Sequence, residues 1–161
     1  MLDKVGNALG HTLSNAHQLA YSTTNFTDAI AHADSALGLT SMRRLDLELI
    51  LDVDKDPYSV GVTAAFADSA GRQIEIFRLD AGSAHCPLLP MTDSTEPLLR
   101  FHHVGAFVSD LDAVLRSAHE VGLTAVQGTV PGMLDVAFID LRPTLGHWLE
   151  CLQKTSRRPN I

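Results

Sequence analysis

The chain is poor in three things. It has two cysteines among 161 residues, Cys86 and Cys151, too few for a disulfide framework. Cys151 reads as a small core residue and Cys86 as a loop thiol. Basic side chains number 12 against 19 acidic, for a net charge of −7, and no run of Lys or Arg occurs. A nucleic-acid groove needs clustered cations, so that partner is excluded, and an anionic membrane surface is disfavoured on the same ground. Long apolar runs are missing as well. None approaches the ~18 residues of a spanning helix, and MLDKVGNALGHTLSNAHQLA at the start lacks the unbroken apolar centre of a signal peptide. A reducing cytoplasm is the default expectation. What is present suits a globular chain: 45% of residues are hydrophobic, and a chain of this size buries roughly 68–70% of its unfolded surface. One domain, residues 1–161, is expected, built from two fused halves.

The halves are copies. HQLAYSTTNFTDAIAHADSALGLT (17–40) aligns with HHVGAFVSDLDAVLRSAHEVGLT (102–124), bringing Asp28-Ala29 to Asp112-Ala113 and Gly38-Leu39-Thr40 to Gly122-Leu123-Thr124. AGRQIEIF (70–77) aligns with LGHWLECL (145–152), bringing Gly71 to Gly146 and Glu75 to Glu150. Each copy opens with a strand, QLAYST or HVGAFV. A polar stop follows, Thr24-Asn25 or Ser109-Asp110, of the kind that caps a helix. Leu111, Val114, Leu115 and Ala118 then recur at i, i+3, i+4 and i+7, one helical face. Gly38 and Gly122 stand where a helix ends in a left-handed residue. Three strands complete each unit: LDLELILDV, SVGVTAAFA and RQIEIF, or TAVQGTV, DVAFIDL and HWLECL. Two βαβββ modules result, at 16–80 and 101–155. The linker, 81–100, is rich in proline and reads as a surface connection. Leu2, Val5, Leu9 and Leu13 outline a short helix ahead of the first module.

Successive strand side chains face opposite sides. The helix of each module must cover an apolar face, which assigns Leu19, Tyr21, Ile74 and Ile76 to the helix side, and Val104, Ala106, Val108, Leu149 and Cys151 in the second copy. Gln18, Glu75, His103 and Glu150 then point the other way, as do Phe77, Phe107 and Trp148. Modules set side by side would line one cavity with these residues around a pseudo-twofold axis. His17 and His102 fall on the helix side, where His102 reads as a core-edge imidazole. Glu75 and Glu150 each stand alone in an apolar run, and a buried charge needs a partner. Arg72 and Arg78 have the wrong parity to pair with Glu75, and a salt bridge to Arg142 is the bland alternative. Two facing carboxylates repel unless one is protonated, and one divalent metal ion removes the repulsion. Carboxylates suit Mg or Mn, whereas imidazole brings in Zn, Ni, Co or Fe. Phe77, Phe107 and Trp148 are candidate substrate contacts. Arg43-Arg44 either meets an anionic substrate group or is solvated.

The paired modules and these four positions resemble the vicinal oxygen chelate superfamily, which includes glyoxalase I, methylmalonyl-CoA epimerase, extradiol dioxygenases and bleomycin-resistance proteins. FHHVGAFVSDLDAVLRSAHEVGL followed by LGHWLECL carries the likeness best, and it extends over roughly 16–155. The resemblance implies an α+β fold in which two tandem modules form an open, barrel-like eight-stranded mixed sheet around a central cavity. It implies Gln18, Glu75, His103 and Glu150 as metal ligands, with Glu150 or Glu75 as the catalytic base. The expected activity is a glyoxalase-like lyase or isomerase/epimerase that abstracts a proton α to a carbonyl of a small-molecule substrate. Basic contacts for a glutathione carboxylate are not evident, which points to another substrate. A metal-free drug- or metabolite-binding protein is the alternative. An extradiol dioxygenase, using two His and one Glu, fits less well because only one His has the cavity register. The modules either pair within a chain or swap between the chains of a homodimer.

Overall fold

Alternating strand patterns and capped helices produce the same motif twice. The computed structural model describes residues 9–80, 86–88 and 97–155. The first module runs β1 (Gln18–Ser22), a helix (Phe26–Leu37), β2 (Arg43–Val53), β3 (Asp56–Ser69) and β4 (Arg72–Leu79). The second runs β5 (Arg100–Phe107), a helix (Leu111–Glu120), β6 (Ala125–Val130), β7 (Leu134–Asp140), a one-turn helix (Arg142–Leu145) and β8 (Trp148–Lys154). Asn25 and Asp110 cap the two long helices by accepting from the amides of Asp28 and Ala113 at 3.2 and 2.9 Å. Gly38 and Gly122 take the left-handed conformation at φ 66° and 80°. The one-turn helix is an addition to the expected pattern, opened by proline and closed by Gly146 at φ 80°.

The eight strands form one mixed sheet in the order β1-β4-β3-β2-β6-β7-β8-β5, which closes on itself as β5 returns to β1. β1 lies parallel to β4, and β5 parallel to β8. The modules meet twice within the one chain, along β1 and β5 and again along β2 and β6, both antiparallel. The second seam is short. Ile50, Leu51 and Asp52 pair with Thr129, Gly128 and Gln127, so residues 43–49 of β2 have no strand neighbour on that flank among the described residues.

Each helix covers its own module. Phe26, Ala29 and Ala33 pack on Ala65 and Ile76, while Leu111 and Ala118 pack on Ala137, Ile139, Leu149 and Cys151. Leu9, in the helical residues 9–14, is fully buried in that second layer; Leu2 and Val5 lie outside the described residues, as does His85. The barrel interior forms a third cluster, with Ala20, Leu49, Leu51, Phe77, Phe138, Trp148 and Leu152 among its members. No helix of the described residues is long and apolar enough to cross a membrane.

Two expectations need correction. Cys86 is not a loop thiol on the surface. It and Leu88 are 5% and 2% exposed and belong to the barrel interior, so these two residues of the expected surface linker are buried. Apolar Leu88 drives this, because the barrel interior offers it a site away from water. His102 does not sit on the helix side. A β-bulge shifts the register, with Ala20 opposite His103 but Tyr21 opposite Phe101. An inserted residue breaks the two-residue alternation, and the His102 side chain turns into the cavity beside His103.

Candidate metal centre

Two adjacent rows of the barrel build the site. In one, Glu75 pairs with Ala20, which pairs with His103. In the next, Gln18 pairs with Gly105, which pairs with Glu150. Each row therefore sets a polar residue from each module on either side of a small one. The small residues leave the room: a Cβ on Gly105 would overlap Gln18 Oε1 and lie 3.1 Å from Gln18 Cβ.

Glu75, His103 and Glu150 each bring one ligand atom to within 4.8 Å of the others. His103 Nε2 lies 3.2 Å from Glu150 Oε2 and 3.6 Å from Glu75 Oε2, close but without hydrogen-bond alignment to either. Gln18 lines the same cavity. Its amide nitrogen donates to Gln73 Oε1 at 2.9 Å, which leaves Gln18 Oε1 buried and unpaired. The arginines that could have neutralised the glutamates are engaged elsewhere: Arg78 with Asp80 at 3.3 Å and Arg142 with Asp140 at 2.8 Å. Burial raises the Glu75 pKa, against the pull of His103. Burial opposes a charge on His103 too, but Glu150 and Glu75 outweigh it and lift His103 to about 9. At neutral pH and without a metal, His103 thus holds a proton beside the two glutamates. Buried polar atoms without partners are uncommon in folded proteins. Here the Gln18 amide oxygen is one, and the His103 nitrogen meets the two carboxylates without an aligned hydrogen bond; this donor set fits a divalent cation.

The imidazole is oriented from behind. His102 Nε2 lies 2.7 Å from the Leu88 carbonyl, and His102 Nδ1 lies 2.8 Å from His103 Nδ1. A carbonyl only accepts, so Nε2 of His102 carries the proton. Burial, then the His103 charge, push the His102 pKa down to about 3, so its ring is neutral and Nδ1 accepts. His103 Nδ1 must donate, and His103 Nε2 is the atom left facing the two carboxylates. Outer partners of this kind fix which nitrogen a histidine offers to a metal. Both nitrogens of His102 are occupied, so the converging set keeps one imidazole. The bulge that places His102 carries no glycine or other mark in the sequence, which is why parity alone missed it.

The cavity measures about 340 Å³, inside the usual range for small-molecule sites. Phe77 and Phe107 line it. Phe107 is 51% exposed and stacks on His17 at 5.0 Å, and both line the cavity, so His17, which strand parity assigns to the helix side just before β1 begins at Gln18, faces the cavity instead. Trp148 is not among the lining residues. It lies 4% exposed beneath the Arg142 guanidinium, 4.2 Å from its ring centre, a packing role set by the one-turn helix that carries Arg142. Of the arginine doublet, Arg44 pairs with Asp46 at 3.4 Å while Arg43 faces the cavity. Cys151 is a buried thiol on the helix side, pushed up to about 12 by burial and Glu150.

No protein-family model matches this sequence, and no curated protein matches it. Solved structures do. Methylmalonyl-CoA epimerase from Mycobacterium tuberculosis superposes with a TM-score of 0.53 at 15% identity, covering 89% of each chain. A hypothetical protein from Bacillus halodurans gives 0.52 at 19% identity, over 90% of this chain and 97% of that one. Streptomyces coelicolor methylmalonyl-CoA epimerase, in complex with 2-nitronate-propionyl-CoA, gives 0.53 at 10% identity, over 88% and 95%. At such identities the likeness is one of fold.

Proposed function

We propose that this chain, which has the fold of the vicinal oxygen chelate superfamily, is a divalent-metal-dependent isomerase or lyase that moves a proton at the carbon α to a carbonyl. One observation carries the reading: a buried carboxylate, a half-buried one and a buried imidazole converge without an arginine, beside an amide oxygen that has no partner. Two of the structural relatives are named methylmalonyl-CoA epimerases, which supports proton transfer as the reaction type.

Gln18, Glu75, His103 and Glu150 would hold the ion. When bound, a divalent cation supplies Lewis-acid polarisation of a substrate oxygen. The protein's own groups do the rest. Glu75 and Glu150 approach His103 Nε2 separately, so one carboxylate can take the α proton while the other stays in place. Burial raises the proton affinity of Glu75, which brings a carboxylate toward the basicity useful at neutral pH. Delivery of a proton to the opposite face of the same carbon by the other carboxylic acid would be epimerisation; return by the same carboxylic acid to the neighbouring carbon would be glyoxalase-type isomerisation. The apolar walls keep bulk water from the exposed carbanionic carbon.

The test has two readouts. Reconstitution with Zn, Ni, Co, Mn, Mg or Fe should give close to one bound equivalent and a raised melting temperature, since a ligand that binds only the folded state stabilises it. In D₂O, the metal-loaded protein should then wash deuterium into the α position of a 2-oxo acid or acyl thioester, and Glu150→Gln or Glu75→Gln should slow this about 10²–10⁴-fold, the usual weight of general-base catalysis. Uptake below about 0.2 equivalents of every ion, with no thermal shift, would instead support a metal-free binding protein, a reading that the mostly apolar cavity favours.

A further inference from the structure

The arginine doublet splits around the barrel wall, and the inward half has no ion-pair partner among the described residues. β2 sends Arg43, Leu45, Leu47, Leu49 and Leu51 to one face. Leu49 and Leu51 are buried in the barrel interior with Leu47 packed against them, and Leu45 lines the cavity. An arginine heading such a row breaks the apolar pattern. Its neighbour Arg44 is accounted for, paired with Asp46 and lying 5.5 Å over the Phe26 ring. Arg43 has no carboxylate partner among the described residues, and its guanidinium lies 6.0 Å over the Phe66 ring. It is also the single Lys or Arg among the described cavity-lining residues.

Strand register then relates it to the metal centre. Arg43 pairs with Phe66, and Phe66 pairs with Glu75. Arg43 and Glu75 therefore stand in one row, two strands apart, or about 10 Å at the usual interstrand spacing. The same part of β2 is the part without a β6 neighbour, and Met133, across that gap, is 52% exposed while lining the cavity. Arg43 thus sits at the opening.

We propose that Arg43, held over Phe66, is an anion-recognition subsite at the cavity mouth, and that the substrate is a monoanionic carboxylic acid with an apolar body. Its carboxylate pairs with the guanidinium, its body fills the apolar barrel, and its carbonyl end reaches the Glu75–His103–Glu150 cluster. The last clause rests on the proposed function; the subsite itself does not. A planar guanidinium matches a carboxylate in two-point geometry. One guanidinium suits one charge, whereas a phosphate-rich ligand would call for several cations, which the lining lacks. In a chain of net charge −7, an anion needs such a local attraction to enter.

Calorimetric titration of the zinc-reconstituted protein with 4-phenylbutyrate and its uncharged amide tests this. The acid should bind about tenfold tighter, a difference of about 1.4 kcal/mol. Arg43→Gln should remove that preference by weakening the acid alone, Arg43→Lys should keep part of it, and Phe66→Leu should reduce it by freeing the guanidinium. Equal affinity of acid and amide in the unmodified protein, or saturable binding of neither, overturns the subsite. So does a preference that survives Arg43→Gln, which would put the carboxylate on the metal instead. If the preference follows Arg43 yet no α-proton exchange occurs, the subsite stands and the isomerase reading falls.

Discussion

Gly105 is where a single atom decides the site. It separates Gln18 from Glu150 across the two module-joining strands, and a methyl group there would overlap the Gln18 carbonyl oxygen. In Gly105→Ala the Gln18 amide must swing away, so metal affinity should fall about tenfold or more. Packing strain should add about 1–3 kcal/mol of destabilisation. Competition titration against a coloured chelator measures the first and urea unfolding the second. The double-mutant cycle makes the cause testable: in a Gln18→Ala background the affinity loss from Gly105→Ala should vanish. Full additivity would mean that the glycine acts through something other than Gln18. The need for a small residue here was not legible in the sequence, because it comes from a cross-strand neighbour. The two glutamates of the candidate site were legible, because a charge inside an apolar run, Leu149-Glu150-Cys151 or Ile74-Glu75-Ile76, is visible without a structure.

Among the elements, regular ones could be read and irregular ones could not. Both helix caps, both left-handed glycines and all eight strands follow from local chemistry that the chain carries on its face. The β5 bulge and the buried linker residues arise from tertiary pairing, and they act together: the bulge turns His102 inward and the linker's Leu88 carbonyl accepts a hydrogen bond from its Nε2–H. The module-joining strand and the linker thereby orient His103 jointly. His102→Ala should remove the acceptor for the His103 Nδ1 proton and lower metal affinity about 10–100-fold, the usual effect of losing an outer partner of a ligating histidine. His102→Asn restores an acceptor, and should recover part of that loss if hydrogen bonding is the cause. Equal losses in both variants would assign His102 to packing alone.

In the whole molecule, the four candidate ligands divide evenly, Gln18 and Glu75 from the first module and His103 and Glu150 from the second, so an ion would tie the halves together. This makes stability fall with rising pH without metal and stay level with metal bound, because a metal-bound imidazole and an unfolded one are both unprotonated above pH 6.5. The His103 pKa is raised from 6.5 to about 9 in the folded, metal-free chain. A raised pKa contributes stability that is complete below the unfolded value and lost as pH rises through the folded one. His102, lowered from 6.5 to about 3, acts only below 6.5, where falling pH costs stability because the unfolded chain takes up the proton. Glu75, also raised, acts in the same sense as His103. The melting temperature of the metal-free protein should therefore fall between pH 6.5 and 9, and His103→Asn should flatten that slope. With a divalent ion on Nε2 the proton is displaced, so apparent metal affinity should rise across the same window, approaching tenfold per pH unit for one released proton. Melting curves of both forms across that range check it. Parallel declines with and without metal would show that no cation takes the place of the His103 proton.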